Sequence, residues 1–420
     1  MSIAAIAYCG MNILFVIYNK MRFHRVLNTL NIYLVIWLSM VGLYGLRLIN
    51  YNNTSVITWI IVFISTVLVF IGYHLGDRTK IMNTTVPYEF RERDERKLRK
   101  SIIHTSLFSM IAIIPNIAFL VQRYGINLLS KTTQIYYDNI NGFAPPNIPY
   151  IGAVIYVACI LVGIYFALFG FNIVLLLPTI LAMLVILPSG SRGWLILTVF
   201  FILFPVIALK KRRTGIISSK KKKQNKRRII LVVVAILTLF ICLTINRSKF
   251  LDPGIYQYIS PRMIPIAYVA PWLFKLYQYF ASPVGVLNAF LEDPTFYFGE
   301  NTFNVLYNFF NKMGFDIKYS RYQPNYNIPI ETNVGTWLLE LSHDFTIIGM
   351  LFVIFLFSFI VGYCDKKALF SKQISDVVIA TVLDTILAMS FFVWYIREGT
   401  MIVVLLVCIL LKSKEYFRIN

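Results

Sequence analysis

The sequence of 420 residues is poor in charge, in cysteine and in histidine. Asp, Glu, Lys and Arg together make up 14% of the chain, against about 25% in soluble globular domains. The five cysteines lie in or beside apolar segments and form no Cys-x-x-Cys pair, so neither a disulfide framework nor a zinc site is indicated. The four histidines are too few and too scattered for a histidine-rich metal site.

The catalytic motifs of soluble enzymes are also absent. The chain contains no Walker A sequence, no Gly-x-Ser-x-Gly elbow and no His-Glu-x-x-His pair. It also has no Gly-x-Gly-x-x-Gly followed by an acidic partner. ATP-driven transport and metal-dependent hydrolysis therefore have no support in the sequence.

Apolar residues, in contrast, are abundant and make up 58% of the chain. Many of them fall in runs that approach or exceed the roughly 18 residues needed to cross a hydrocarbon core. We therefore predict an all-α polytopic membrane protein with about eleven transmembrane helices. The eleven runs lie near residues 2–18, 30–48, 56–75, 101–121, 149–169, 171–188, 193–209, 229–246, 345–363, 374–395 and 399–411.

The excess of basic residues, 40 Lys and Arg against 19 Asp and Glu, predicts the orientation of these spans. The first apolar run is followed by positive charges, which indicates a retained helix with its N-terminus outside. With that orientation, 28 of the 40 basic residues face the cytosol, as the positive-inside rule requires. Residues 77–100 and 210–228 are predicted as basic cytosolic loops that contact anionic lipid rather than nucleic acid. Within the first loop, the mixed-charge run Arg91–Lys100 is predicted as a short cytosolic helix.

Three parts are predicted along the chain. Residues 1–246 form an N-terminal bundle of about eight spans, and residues 345–420 hold about three more, ending in the cytosol. Between them, residues 247–344 form a large loop on the outer side. Within this loop Met263–Phe290 is apolar but interrupted by prolines, which predicts helices that lie in the interface or form a re-entrant hairpin.

Arginines on the predicted outer side are the first candidates for chemistry. Arg192 lies in Pro-Ser-Gly-Ser-Arg-Gly, a minimal turn between two spans, and Arg397 lies in an equally short turn. The large loop adds Arg262 and Arg321. Guanidinium forks suit phosphate oxygens, so these side chains predict an anion site. The alternative is that they snorkel to the interface or pair with a carboxylate, such as Glu398 beside Arg397.

Acidic residues and a histidine form the second candidate cluster. Glu340, His343 and Asp344 fall within one helical turn at the start of a predicted span. This group is placed to take a proton from a hydroxyl nucleophile. The alternative is a solvated helix start whose acids are favoured by the helix dipole. Asp384, in the middle of a span, is either a proton-relay group or a carboxyl hydrogen-bonded to a neighbouring threonine.

Four segments in a fixed order carry a resemblance to a known family. They are PSGSRG (Pro188–Gly193), YFASPVGVLNAF (Tyr279–Phe290), FGENTFNVLYNFFNKMGF (Phe298–Phe315) and TNVGTWLLELSHDFTIIGMLFVIFLFSFIVGY (Thr332–Tyr363). In their order and character the chain resembles the Wzy-type oligosaccharide repeat-unit polymerases, which build bacterial O-antigen and capsule chains. The resemblance covers about residues 180–400 in motif and the whole chain in topology. The family's Asp-x-Gly before a late span reads Asp344-Phe345-Thr346 here.

The resemblance implies a GT-C-like helix bundle and an inverting glycosyltransferase that needs neither metal nor cofactor. Its substrates would be undecaprenyl-pyrophosphate-linked glycans, polymerised at the outer face of the bacterial plasma (inner) membrane. Expected partners are the lipid bilayer and a Wzz-like chain-length regulator, with no nucleic acid. The implied site comprises Arg192, Arg321, Arg397 and Arg262 for pyrophosphate and Glu340, His343 or Asp344 as the base.

Two other functions fit the same sequence. An O-antigen ligase shares the architecture and delivers the glycan to a lipid A core. A transporter or flippase for lipid-linked oligosaccharides would instead need charged residues along a path at mid-membrane, whereas an enzyme needs ionisable groups gathered at one face. Because only Asp384 lies mid-span, the sequence favours the enzyme.

Overall fold

Helices account for most of the chain in the computed structural model. The structure describes residues 2–24, 26–80, 92–140, 143, 151–209, 219–247, 251–319, 323–371 and 373–413. Within these ranges the α-helices are α1 (Ile3–Phe23), α2 (Thr29–Gly45), α3 (Val56–Arg78), α4 (Glu92–Tyr124), α5 (Thr132–Ile140), α6 (Val154–Leu168), α7 (Leu177–Ser189), α8 (Arg192–Ala208), α9 (Ser219–Arg247), α10 (Ile264–Val269), α11 (Pro271–Ala281), α12 (Pro283–Glu292), α13 (Asn304–Lys312), α14 (Trp337–Phe370), α15 (Ile374–Ala388) and α16 (Gly399–Ser413). Two antiparallel two-residue strands, β1 (Tyr326–Asn327) and β2 (Glu331–Thr332), pair between α13 and α14.

The apolar runs are helical, which confirms the prediction of an all-α polytopic membrane protein. Seven helical segments in the described part of the chain are long and apolar enough to cross a membrane. They are Ile3–Phe23, Val56–Arg78, Asp94–Tyr124, Ile151–Leu168, Gln224–Asn246, Trp337–Phe370 and Ile374–Phe391. Four shorter apolar helices coincide with the remaining runs: Thr29–Gly45, Ile173–Ser189, Arg192–Ala208 and Gly399–Ile409.

A helix begins within each of the two predicted basic loops. α4 begins at Glu92 and α9 begins at Ser219, and each continues from charged into apolar sequence without a break. The short helix predicted for residues 91–100 is part of α4 from Glu92 onward, and residues 219–228, for which no helix is predicted, belong to α9; residues 81–91 and 210–218 lie outside the described ranges. Lys, Arg and Glu have high helix propensity, so the backbone ladder of each apolar helix extends into its charged flank.

Packing divides the chain into two compact units, each discontinuous in sequence. The first unit comprises Met1–Thr79, Ser248–Tyr363 and Ile386–Glu398, and the second comprises Lys80–Arg247, Cys364–Thr385 and Gly399–Asn420. The three-part division at residues 246 and 344 concerns the order of spans and stays a prediction.

In the first unit, glycines let α3 approach α14 closely. A Cβ added to Gly72 would lie 2.6 Å from the carbonyl oxygen of Phe355, and one added to Gly76 would overlap the carbonyl oxygen of Phe359. Gly362 of α14 meets the backbone of Tyr73 in the same way. Small residues at such contacts are typical of helix packing within membranes, where close backbone approach maximises van der Waals contact.

Prolines divide the apolar stretch 263–290 into three short helices of the first unit, and their interfacial or re-entrant position stays a prediction. Each of α10, α11 and α12 has a proline in its first positions, where no backbone donor is lost. The Tyr277 hydroxyl of α11 donates to the Leu43 carbonyl at the end of α2 (3.0 Å) and accepts from the Leu48 amide (3.0 Å). These contacts fix α11 against the end of α2.

Asn288 fixes α12 in turn against the beginning of α3. Its Oδ1 accepts from the backbone amide of Ser55 at 2.7 Å and from the Thr58 hydroxyl at 2.9 Å. Because amides in the first turn of a helix have no intrahelical partner, a side chain that accepts there both caps α3 and positions α12.

In the second unit, all fifteen residues of α6 are buried, which matches a helix that is apolar on every side. It packs against α4 and α8. A Cβ on Gly163 would lie 2.7 Å from the carbonyl oxygen of Ile202, so α6 and α8 are in backbone contact.

Candidate active site

The three residues predicted as a catalytic cluster lie on the first turns of α14, in the first unit. Helical geometry in α14 is interrupted at Thr346, whose φ of 64° and ψ of 176° lie in a region that is essentially restricted to glycine. Glu340, His343 and Asp344 precede this break and are only 1%, 7% and 3% exposed. The alternative of a solvated helix start therefore does not hold for them.

Glu340 forms a buried ion pair with Arg397. Nη1 of Arg397 donates to Oε1 of Glu340 at 2.5 Å, with the two side chains 8% and 2% exposed. Oε1 also accepts from Nε2 of Gln323 at 3.1 Å, and Oε2 accepts from the backbone amide of Trp394 at 2.5 Å. Burial opposes the charge on Arg397, but the Glu340 and Glu398 carboxylates outweigh it and raise the pKa of the guanidinium above its ordinary value.

The Asp344 carboxylate binds the backbone of a turn that precedes α13. Oδ1 accepts from the amide of Asn301 at 2.8 Å and from its Nδ2 at 3.0 Å. Oδ2 accepts from the amide of Thr302 at 2.7 Å and from its hydroxyl at 2.6 Å. Four donors occupy the lone pairs of this carboxylate, which therefore anchors the turn and has little capacity left to accept a further proton.

His343 lies between two carboxylates. Its Nε2 is 3.6 Å from Oε2 of Glu300, and its Nδ1 is 3.8 Å from Oδ1 of Asp344. Asn301 Nδ2 is 3.5 Å from the same Nδ1, and the Tyr297 ring lies 5.2 Å from the imidazole between ring centroids. The imidazole therefore has one carboxylate, that of Glu300, available for proton exchange at Nε2, whereas its Nδ1 faces Asn301 and Asp344, which are hydrogen-bonded to each other.

The anionic groups are joined in a closed ring of hydrogen bonds. Trp394 Nε1 donates to the Thr302 hydroxyl at 3.1 Å, and Gln323 Nε2 donates to Oδ1 of Asn301 at 2.8 Å. Together with the contacts above, these bonds connect each residue of the ring to the next one. Each residue is therefore held by two neighbours, which fixes the geometry of the ring. In order around the ring the residues are Glu340, Gln323, Asn301, Asp344, Thr302 and Trp394.

The four arginines predicted to bind pyrophosphate are placed differently. Arg397 contacts the carboxylate cluster as described. Arg192 belongs to the second unit, half-buried at the first position of α8 after a tight turn in which Gly190 has a φ of 65°. Arg262 is exposed in the turn before α10, and in the described ranges no hydrogen bond or ion pair joins it to the cluster. Arg321 lies outside the described residues.

Sequence reasoning missed five members of this site: Glu300, Asn301, Thr302, Gln323 and Trp394. The first three follow Gly299, whose φ of 65° makes a turn, and a glycine before short polar residues is a turn signal. That signal predicts a turn and does not say that it meets residues 340–344. Gln323 and Trp394 carry no local signal at all.

In the described ranges no group of three His, Cys, Asp or Glu side chains is arranged to hold a metal ion. No protein-family model, no curated protein and no solved structure matches this chain.

Proposed function

We propose that the protein is a membrane glycosyltransferase that polymerises undecaprenyl-pyrophosphate-linked oligosaccharide repeat units. The observation that carries this proposal is the ring of hydrogen-bonded polar residues at the start of α14, whose carboxylates bind Arg397 and lie beside His343. Buried ionisable groups are costly in a membrane protein and mark functional sites. Thr346 adds support from the family resemblance, because it adopts a glycine conformation where the family has glycine.

The proposed topology puts this site at the outer face of a bacterial plasma membrane. All eleven apolar helices would cross, with the N-terminus outside and the C-terminus in the cytosol, in a GT-C-like bundle. The basic flanks of α4 and α9 support this orientation, because positive segments stay in the cytosol. In this arrangement α10–α12 would lie at the outer interface, and Arg192 and Arg397 would both lie on the outer side.

In the proposed reaction, a hydroxyl of one repeat unit attacks the anomeric carbon of a glycan on undecaprenyl pyrophosphate. The new carbon–oxygen bond forms as the bond to pyrophosphate breaks, with inversion at the anomeric carbon. The lipid pyrophosphate leaves with the electron pair, and the hydroxyl proton passes to the protein. Fixed guanidinium groups would stabilise the negative charge on the leaving group without a metal.

Roles follow from what each side chain already contacts. Glu340 holds Arg397 in place and is engaged by three donors, so it is a positioning residue in this proposal. Asp344 is engaged by four donors and anchors the turn. The base would belong to the groups around His343. Arg192 and Arg321 would add positive charge for the pyrophosphate.

The test uses purified full-length protein in detergent with synthetic undecaprenyl-pyrophosphate repeat units. A ladder of polymers without added metal or nucleotide would support the proposal. Arg192→Ala should slow the reaction, with Arg47→Ala, at an exposed arginine to which no role is assigned, as the control. If Arg192→Ala left the rate and ladder length unchanged, its pyrophosphate role would be wrong.

Two further arms separate the rival functions. Addition of a lipid A core acceptor tests the ligase: transfer of single glycans to the core with no ladder would replace polymerase by ligase. Reconstitution in liposomes tests the transporter: movement of the lipid-linked glycan to the opposite leaflet, again with no ladder, would overturn the enzyme proposal.

A further inference from the structure

The His343 imidazole lies between Glu300 and Asp344, and along this line the exposure of the side chains falls from Glu300 to Asp344. The side chains of Glu300, His343 and Asp344 are 13%, 9% and 0% exposed, in that order. Oε2 of Glu300 lies 3.6 Å from Nε2 of His343, whose Nδ1 lies 3.8 Å from Asp344. A substrate that approaches from solvent would therefore meet Glu300 before it meets the imidazole.

The backbone around Glu300 is fixed to the same turn of α14. The amide of Tyr297 donates to the carbonyl of His343 at 3.0 Å, and the amide of Gly299 donates to the carbonyl of Asp344 at 3.2 Å. On the other side of Glu300, the Asn301 amide donates to the Asp344 carboxylate. Since hydrogen bonds to residues 343 and 344 flank it on both sides, the backbone that carries the Glu300 side chain is held beside His343.

Aromatic side chains border the Glu300 end of this line. Tyr297 and Phe298, three and two residues before Glu300, are 59% and 73% exposed. Tyr307 donates from its hydroxyl to the carbonyl of Phe298. Burial, with help from the Asp344 and Glu300 carboxylates, raises the pKa of Tyr307, which keeps it a phenol at neutral pH. Apolar ring faces beside a carboxylate suit a sugar that carries the attacking hydroxyl.

We infer that Glu300 is the catalytic base that takes the proton from the acceptor hydroxyl, with His343 behind it as the second proton acceptor. This inference rests on the proposed glycosyl transfer and names the group that touches its acceptor. The proton moves from the hydroxyl to Oε2 of Glu300 and then to Nε2 of His343, as the lipid pyrophosphate leaves with the electron pair. Asp344 places negative charge 3.8 Å from Nδ1, on the far side of the imidazole, and is a positioning residue. The 3.6 Å separation is typical of catalytic contacts that shorten when substrate binds.

The experiment compares kcat and KM for Glu300→Gln with those of the parent protein in the ladder assay. Loss of the base should lower kcat by about 10²–10⁴-fold with little change in KM. Glu331→Gln is the matched control, because Glu331 is an exposed glutamate on β2 of the same 247–344 segment. Glu300→Ala should regain at least about tenfold in rate with added formate, which supplies a carboxylate to the vacated position.

The outcomes separate the two claims. If the parent protein makes no ladder, the proposed function fails and the base assignment fails with it. If the parent makes a ladder and Glu300→Gln makes it at the same rate, only the base assignment fails. Should Glu300→Gln not fold to a monodisperse species, Glu300→Asp retains a carboxylate and is expected to keep measurable activity above that of Glu300→Ala. Equal activity of Asp and Ala variants, or no formate rescue of folded Glu300→Ala, would overturn the inference.

Discussion

Arg397 and Glu340, 57 residues apart in the chain, share a buried hydrogen bond of 2.5 Å between Nη1 and Oε1. Both groups are removed from water, so each one's charge depends on the other. Arg397 also has Glu398 as its neighbour in the sequence, but the hydrogen-bonded partner that the structure shows is the distant glutamate. The protein should therefore lose much stability when one charge of the pair is removed alone, and less when both are removed together.

Removal of one member of this pair should be strongly destabilising. We expect Arg397→Met to lower the free energy of unfolding by about 3–5 kcal/mol, because the Glu340 charge would stay buried without its partner. The double variant Arg397→Met with Glu340→Gln should recover about 1–3 kcal/mol of that loss. Thermal unfolding in detergent measures both, with Glu331→Gln as the exposed control. Additive losses in the double variant would contradict the coupling.

Asp344→Asn should loosen the turn before α13. An asparagine presents one acceptor oxygen and an amide that opposes the donors of Asn301 or Thr302, so two of the four hydrogen bonds are lost. Each hydrogen bond to a charged group contributes about 1.5–3 kcal/mol. Hydrogen–deuterium exchange of peptides covering residues 298–303 should therefore become faster in this variant.

The matched control for this turn is Asp293→Asn, since Asp293 is exposed just after α12. It should leave exchange in residues 298–303 unchanged. Protection in Asp344→Asn equal to that of the parent would mean that the carboxylate does not hold the turn.

The positions of the apolar helices could be predicted because each depends on local sequence alone. About 20 apolar residues in a row have few alternatives to a membrane-crossing helix. The helix ends could not be predicted in the same way: α4 and α9 extend into charged sequence, where hydropathy falls but the backbone ladder continues. Hydropathy marks where a membrane core can lie and does not mark where a helix stops.

Only the part of the site that lies within one helical turn of α14 could be predicted from the sequence. Glu340, His343 and Asp344 come together through helical spacing, which the sequence contains. Glu300 and Trp394 reach the same cluster from 40 and 54 residues away from Glu340, and no local rule encodes such contacts. The break at Thr346 was also unpredictable, because neither glycine nor proline occupies that position.

Thr346→Gly should stabilise the protein, against the usual effect of glycine in a helix. A φ of 64° with a ψ of 176° costs a β-branched residue about 1–3 kcal/mol, which glycine avoids. Part of this gain is offset by the greater freedom of glycine in the unfolded chain, so we expect a net increase of about 1 kcal/mol in unfolding free energy. Thr238→Gly, at an exposed position within α9, should instead destabilise by a few tenths of a kcal/mol. A lower unfolding temperature for Thr346→Gly in detergent would show that the backbone does not hold this conformation.

The contact of α3 with α14 should be intolerant of a single added methyl group. Gly76→Ala would place Cβ on the carbonyl oxygen of Phe359, and because that atom is backbone, the helices must separate to make room. Overpacking of this kind costs about 1–3 kcal/mol, which outweighs the gain in helix propensity of about 1 kcal/mol from glycine to alanine. Gly10→Ala in α1 is the matched control, because nothing lies within 4 Å of the added Cβ, and it should be neutral or slightly stabilising. The difference in unfolding temperature between the two variants isolates the packing effect, since both make the same substitution within a helix. Equal temperatures would mean that α3 and α14 do not approach at Gly76.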